Sequence, residues 1–341
     1  MRKALALIAY ARPEYLQSVW VSIQNQLIAG SPLSETYDIY VFHDGLWDGE
    51  SAAGRTGHGQ VAEWLGQLPS GIMVRRQAEN LGIALHYDLI EKTLFVENGY
   101  DFVVLCEDDL VLAPGYMSVV DRMADMFLDD RRVGIVSAHP GNPTVPIDLQ
   151  HVHRHRWAPM GHSWGYGISR SFWNRRQPFV ECYLDLIRNV QYRNRSEELI
   201  FEWLDRIGFR PCASSQDYVK TCATYALGAV KLATFPNFGR PIGRSGVHCN
   251  PALFEQMGFD RAVVFDDQLD VIGDLSDETY RNLWQQMIHQ VGVRNVQVIA
   301  NPDGHNVRAW EARLTRGDFH PCRVIPDIFA AACAGPAGSV D

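Results

Sequence analysis

The sequence predicts an α/β protein with a mostly parallel sheet flanked by helices, and two observations carry that prediction. Short apolar runs alternate with helix-period segments as far as about residue 137, the order of strands feeding crossover helices. One of those runs, Phe102-Val103-Val104-Leu105-Cys106, leads straight into Glu107-Asp108-Asp109. Adjacent acids at a strand end repel one another unless a cation or hydrogen-bond donors offset them, and ligands of open α/β sheets gather at the carboxyl ends of strands. A solvated acidic turn opening the next helix is the plain alternative.

The elements follow in order. A first strand is expected near Leu5 to Tyr10, with Pro13 in the first turn of the helix after it. A second strand, Tyr37 to Phe42, ends in His43-Asp44-Gly45, and Gln60 to Leu68 looks helical. A third, Ile72 to Arg75, passes through the tight turn Asn80-Leu81-Gly82 into a helix with Leu85, Leu89, Ile90 and Leu94 on one face. Asp101 to Cys106 is the fourth. Pro114 to Phe127 then reads as a helix and Val133 to Ser137 as a buried strand, before Pro140 to Pro146 ends the alternation. Beyond lie an aromatic-rich stretch, Trp157 to Trp173, and helices at Ser196 to Ile207 and Gln216 to Leu227. Ser276 caps a helix running to Gln290, and the small residues Ala334 to Asp341 fray.

Composition sets bounds. With 341 residues, 46% apolar and 21% charged, the chain can bury one large core or two modest ones. A net charge of −9 argues against broad nucleic-acid binding, although Arg154 to Arg195 is locally rich in Arg and His. Seven cysteines without C-x-x-C spacing fit reduced thiols in the cytoplasm and speak against structural zinc. Met1-Arg2-Lys3 and the apolar Ala4 to Ala11 imitate a signal peptide, but eight residues leading directly into Arg12-Pro13-Glu14 read better as a core strand. No segment reaches the length of a membrane span.

Four constellations could carry chemistry. Carboxylates follow two of the first four strands: Asp44, able to accept from a base imide or ribose hydroxyl, and the Glu107-Asp108-Asp109 triplet, whose hard oxygens suit Mg2+ or Mn2+ shared with a phosphate-bearing substrate. An ordinary Asp-Gly turn also explains Asp44. The second is Gly161 to Gly167 with Trp164-Gly165-Tyr166, where glycine admits a ligand to the backbone and flat rings stack on it; a Gly-interrupted core strand is the plain alternative. The third is Ser214 to Tyr218, with Asp217 either a helix-terminal acid or a general base. The fourth, Pro236 to Cys249, packs Gly, Arg, Ser and His into a loop with anion- and metal-binding potential, or a surface turn with solvated arginines. No Walker A, dinucleotide fingerprint, G-x-S-x-G or H-E-x-x-H is present.

In this order, the four features resemble nucleotide-sugar glycosyltransferases of the GT-A fold, more narrowly the bacterial family 2 enzymes and the related N-acetylglucosaminyltransferase I. The resemblance covers about Lys3 to Asn250 and is strongest in Val103 to Pro114, in Trp164-Gly165-Tyr166-Gly167 with Arg170 and Trp173, and in Ser245-Gly246-Val247-His248-Cys249. It implies a glycosyltransferase domain over 1–250, with a nucleotide-binding half at 1–139 and an acceptor-binding half at 140–250. Residues 251–341 are then an accessory region for acceptor binding or dimerisation.

The resemblance also implies roles. Arg12 touches the donor diphosphate, Asp44 the uracil or ribose, and Asn80 belongs to the same donor side. Asp109 is the direct ligand of Mn2+ or Mg2+, while Glu107 and Asp108 place the donor sugar and ribose. Trp164, Gly165 and Tyr166 face the acceptor, and Asp217 is the base. Arg240, Arg244 and His248 close over the diphosphate or metal, His248 as a second metal ligand. Two departures stand out: Ala11 replaces an acid of the eukaryotic relative, and Tyr218-Val219-Lys220 replaces the bacterial Asp-x-Arg-Trp pattern.

The expected reaction is inverting, metal-dependent transfer of a hexosyl or N-acetylhexosaminyl group from a nucleoside-diphosphate sugar, UDP before GDP. The expected acceptor is a saccharide or glycoconjugate hydroxyl in surface-glycan synthesis. The expected setting is the cytoplasm, including the inner membrane face, with no nucleic-acid partner; a homodimer is left open. The rivals are a sugar-nucleotide pyrophosphorylase, for which the first-strand turn Tyr10-Ala11-Arg12-Pro13 is too poor in glycine, and a non-catalytic nucleotide- or carbohydrate-binding protein on the same scaffold.

Overall fold

A computed structural model describes residues 1–246, 249–269 and 272–292. The strands are β1 (Lys3–Ala9), β2 (Leu27–Ile28), β3 (Ser31–Pro32), β4 (Asp38–His43), β5 (Met73–Arg76), β6 (Phe102–Glu107), β7 (Leu110–Leu112), β8 (Val133–Ser137), β9 (Trp157–Pro159), β10 (Gly165–Ser169), β11 (Val230–Thr234) and β12 (Gly239–Pro241). Eight of them form one sheet in the order β5-β4-β1-β6-β10-β8-β11-β9. The pairs β4–β5, β1–β4 and β1–β6 are parallel, whereas β10 enters antiparallel between β6 and β8. The fold is therefore α/β, with a mixed, mostly parallel central sheet flanked by helices.

The chain divides into two compact units. The first comprises Met1–Asn80, Ile90–Arg170 and Lys231–Leu275, and holds the sheet. Its central strands are apolar on both faces: Ala4 to Ala9 and Phe102 to Cys106 are buried, as parallel strands covered by helices on both sides must be. Among the described residues the α-helices are α1 (Pro13–Gln24), α2 (Ala52–Leu65), α3 (Gly82–Lys92), α4 (Tyr116–Phe127), α5 (Ile147–Val152), α6 (Arg170–Ile187), α7 (Glu197–Arg206), α8 (Gln216–Ala226), α9 (Pro251–Gln256) and α10 (Asp277–Val291). Helices α1, α2 and α4 cover the sheet. Pro13 opens α1, where its missing N–H costs nothing. Met117, Val120, Met123, Ala124 and Phe127 give α4 a buried stripe at helical spacing.

The second unit comprises Leu81–Leu89, Ser171–Val230 and, within the described residues, the segment from Ser276 to Gly292. Its helices α7 (Glu197–Arg206), α8 (Gln216–Ala226) and α10 (Asp277–Val291) surround an aromatic core. Trp203 meets Phe179 edge-on at 5.4 Å, and Trp284 stacks on Tyr225 at 4.6 Å. Each helix begins with a serine whose side chain accepts a backbone N–H: Ser196, Ser215 and Ser276.

Within the described residues the anticipated strands and helices are present with ends shifted by three residues or fewer, except that α2 begins at Ala52, eight residues before Gln60. The tail Ala334 to Asp341, expected to fray, lies outside the described residues. One local expectation is corrected. The acids after β6 do not run on towards a helix: Leu110–Leu112 forms a short strand that pairs antiparallel with Gly239–Pro241. That pairing carries the late Gly- and Arg-bearing segment back to the acidic cluster, and so organises the site.

Candidate active site

Adjacent parallel strands bring the first residues together. Ile8 of β1 is in register with Glu107 of β6, and Ala9 with His43 of β4, so the turns that follow all leave the same edge of the sheet. Arg12, in the turn after β1, reaches both acids after β6. Its Nη2 and Nε donate to Asp108, the latter at 3.3 Å, and its Nη1 donates to Asp109 Oδ2 at 3.0 Å. Burial works against the guanidinium charge, but Asp108 and Asp109 outweigh it and raise the Arg12 pKa. Asp108 is 3% exposed; burial and the Asp109 charge push it up to about 6 while Arg12 pulls the other way. Burial, then the three acids, drives the Cys106 thiol upward, so it stays an inert core residue. The Asp109 Oδ1 is buried and has no hydrogen-bond partner among the described residues.

The segment from Gly239 wraps this cluster. Ile242 N–H donates to the Asp109 carbonyl at 2.8 Å. A Cβ on Gly243 would stand 2.7 Å from Asp109 Oδ2, and one on Gly246 would stand 3.5 Å from Arg12 Nη1. Arg240 is exposed on β12, paired with Val111. Arg244 makes an exposed ion pair with Glu255 at 2.6 Å. His248 lies outside the described residues.

At the end of β4, Asp44 is buried and committed. Its Oδ1 accepts the Gly45 N–H at 2.9 Å and its Oδ2 accepts Asn80 Nδ2–H at 3.0 Å; Asn80 Nδ2 also reaches the Gly45 carbonyl at 2.8 Å. Gly45 is required by space, since a Cβ there would collide with the Glu79 carbonyl and lie 2.7 Å from Asn80 N. Two stacked histidines support these turns. His43 and His58 lie 4.2 Å apart, His43 donating from Nε2 to the Tyr10 carbonyl at 2.9 Å and His58 from Nε2 to the Asp44 carbonyl at 3.0 Å. Burial, then the His58 ring, lowers the His43 pKa to about 4, so His43 is neutral at physiological pH.

Beside β6, Glu107 N–H donates to the Trp164 carbonyl at 2.7 Å. The half-buried Trp164 ring stacks on His162 at 4.4 Å and 9°, and on His139 at 5.9 Å. His139 is fully buried, its Nδ1–H donating to Asn237 Oδ1 at 2.8 Å, and burial lowers it to about 4. Gly165 and Tyr166 belong to the buried interior of β10: a Cβ on Gly165 would press on Tyr116 and Leu110, and Tyr166 is 1% exposed. Of the three aromatic-segment candidates, only Trp164 keeps an accessible surface.

Asp217 lies in the second unit, in the first turn of α8 after the Ser215 cap, and is half-buried. Its Oδ1 accepts Gln216 Nε2–H at 2.7 Å.

No group of three or more His, Cys, Asp and Glu is arranged to hold a metal among the described residues. The residues present nevertheless fit a hard cation of another kind. Asp109 offers a buried carboxylate oxygen without a partner, and Mg2+ or Mn2+ characteristically takes one or two carboxylates and completes its shell with substrate phosphates and water.

Sequence reasoning missed His43, His58, His139 and Gln216. His43 and Gln216 directly precede Asp44 and Asp217, and a residue adjacent to a candidate acid was the available signal. His58 and His139 approach only through the fold.

No protein-family model matches the chain, and no curated protein matches it. Solved structures do. The mannosyltransferase PcManGT from Pyrobaculum calidifontis, in complex with GDP-Man and Mn2+, is 16% identical with a TM-score of 0.39, over 99% of this chain and 76% of that one. Glucosyl-3-phosphoglycerate synthase from Mycobacterium tuberculosis, with Mn2+ and UDP, is 14% identical with a TM-score of 0.36, over 78% and 81%. Mouse xyloside xylosyltransferase 1 is 12% identical with a TM-score of 0.40, over 79% and 96%. What this site can do is set by its own residues.

Proposed function

We propose that the chain is a metal-dependent glycosyltransferase of the GT-A type, moving a hexosyl or N-acetylhexosaminyl group from a nucleoside-diphosphate sugar to a hydroxyl of a saccharide or glycoconjugate, with inversion. UDP is preferred to GDP, and surface-glycan synthesis in the cytoplasm is the expected setting. One observation carries the reading: a buried pair of acids, Asp108 and Asp109, stands just past the carboxyl end of β6 beside Arg12, and Asp109 keeps an oxygen without a partner among the described residues. Buried carboxylates are costly unless paired or bound to a cation, and this pair is only partly offset by one guanidinium.

In this reading Asp44, fixed by hydrogen bonds from Gly45 and Asn80, accepts from the nucleoside base or ribose. Arg12 lies where it can turn from the acids towards a diphosphate. Asp108 and Glu107 orient the donor, and Asp109 holds the divalent ion, with His248 as the second ligand. That ion, when bound, offsets the negative charge that develops on the departing diphosphate. Trp164 offers a flat surface to the acceptor, and Asp217 takes the proton of the attacking hydroxyl. The Gly239 to Gly246 segment, which is hydrogen-bonded to Asp109 through Ile242, excludes water from the reacting centre.

A thermal-shift screen with UDP-glucose, UDP-N-acetylglucosamine and GDP-mannose, each with and without Mn2+, tests the proposal, because a ligand stabilises the fold it binds. At least one sugar nucleotide should raise the melting temperature only when Mn2+ is present. If none of the three does so, the reading fails.

A further inference from the structure

We propose that Gln216 is the positioning residue for Asp217, its buried amide fixing one carboxylate oxygen so that the other is presented to the attacking hydroxyl. The inference rests on the reading of Asp217 as the base.

Chemistry fixes the orientation of the amide. An ionised carboxylate only accepts, so Nε2 must face Asp217 Oδ1, which it meets at 2.7 Å, and Oε1 must turn away. Asp217 Oδ2 carries no hydrogen bond among the described residues. A carboxylate with one oxygen tied and the other free cannot rotate away from the hydroxyl it is to deprotonate.

The support behind Gln216 is rigid. Ser215 caps α8, and the Gln216 N–H donates to Tyr192 Oη at 3.4 Å. The Tyr192 ring lies 4.2 Å beneath the Arg195 guanidinium. Arg195 in turn donates to the Ser214 carbonyl at 3.2 Å and to Ser214 Oγ at 2.8 Å, while Ser214 Oγ donates to Glu197 at 2.6 Å. Tyr183 Oη donates to the same Ser214 carbonyl at 3.1 Å. Arg195, Glu197, Tyr183 and Tyr192 are charged or titratable groups around this corner, and Lys220 lies one turn further along α8. Burial raises both tyrosines, which therefore stay protonated and neutral.

Stability alone does not account for Gln216. The side chain is 3% exposed, and its Oε1 is buried with no partner among the described residues. A buried acceptor without a donor destabilises the fold, and methionine would fill a similar volume without that defect. A residue kept at a cost to the fold, and bonded directly to an acid read as a base, points to function.

The test is nucleoside-diphosphate release from UDP-glucose, UDP-N-acetylglucosamine and GDP-mannose with Mn2+, water serving as acceptor, for Gln216→Met, Gln216→Glu and Asp217→Asn. Gln216→Met should match or exceed the parent melting temperature and keep its KM for the donor, while kcat falls about tenfold to a hundredfold. Gln216→Glu should recover activity at low pH, where the two acids share a proton, and lose it as pH rises. Unchanged kcat in Gln216→Met with Asp217→Asn inactive removes the positioning role and leaves the base intact. A melting temperature lowered in step with kcat makes the role structural and overturns the inference. Should Gln216→Met fail to fold, a parent-like pH profile in Gln216→Glu does the same. Full activity in Asp217→Asn removes the base itself.

Discussion

Asn80 Nδ2 donates to Asp44 Oδ2 at 3.0 Å, joining the turn after β4 to the segment that opens the next helix. The bond fixes a buried carboxylate whose other oxygen is held by its own turn, and it depends on Gly45 letting two backbones meet. Gly45→Ala should therefore force the turns apart. We expect a stability loss of about 1–3 kcal/mol in chemical denaturation. Nucleoside-diphosphate binding measured by calorimetry should weaken with it, and parent stability and affinity together would show that the turns tolerate the methyl.

Gly243 sets up a second steric test. Its missing side chain leaves room for Asp109, whose carboxylate a methyl group would meet at 2.7 Å. Because the obstacle is a side chain and not backbone, Gly243→Ala should fold normally with Asp109 displaced. The expected readout is Mn2+ affinity weakened about tenfold in the presence of nucleoside diphosphate, followed by electron paramagnetic resonance. Unaltered affinity would place the metal elsewhere.

Arg12 offsets two acids, one of them nearly sealed from water. Arg12→Ala leaves that charge uncompensated, and the arginine is about one-third exposed, so the penalty sits below that of a fully buried pair: about 2–3 kcal/mol at neutral pH. Urea denaturation at pH 7 measures it, and a loss below about 0.5 kcal/mol would mean the pair contributes no more than a surface ion pair.

His43 gives a pH dependence with a definite sign. Its pKa is lowered from 6.5 to about 4, so the folded state binds fewer protons than the unfolded one between those values. Stability from this group is fully present above pH 6.5 and is lost as pH falls towards 4. The stability difference between pH 7 and pH 5 should shrink by about 2 kcal/mol in His43→Gln relative to the parent. An unchanged difference would locate the acid sensitivity in other groups, His139 and His162 being the next candidates, both lowered to about 4 by burial.

Much of this was legible in the sequence because the relevant signals are local. Unbroken apolar runs marked β1, β4, β6 and β8, and the acids after β4 and β6 fall at one sheet edge because successive strands are parallel. What escaped were relations across distance. Nothing in Gly239-Arg240-Pro241 says that it pairs with Leu110–Leu112, yet that pairing brings Gly243 to Asp109. Tyr166 looked like a ligand platform because its neighbours are glycines. The glycines are instead where the sheet admits Tyr116 and Phe102, and Tyr166 is part of the core. The histidine pair was invisible for the same reason: His43 and His58 belong to different elements and meet only once α2 docks.

The central claim is that Asp109 holds a divalent ion which in turn grips a diphosphate. Isothermal titration of UDP into the protein with saturating Mn2+, compared with Asp109→Ala, tests it most directly. The account predicts Mn2+-dependent binding in the parent, and in the variant no binding beyond what UDP shows without metal, with the fold intact by circular dichroism. Equal Mn2+-dependent affinity in the folded variant would contradict it.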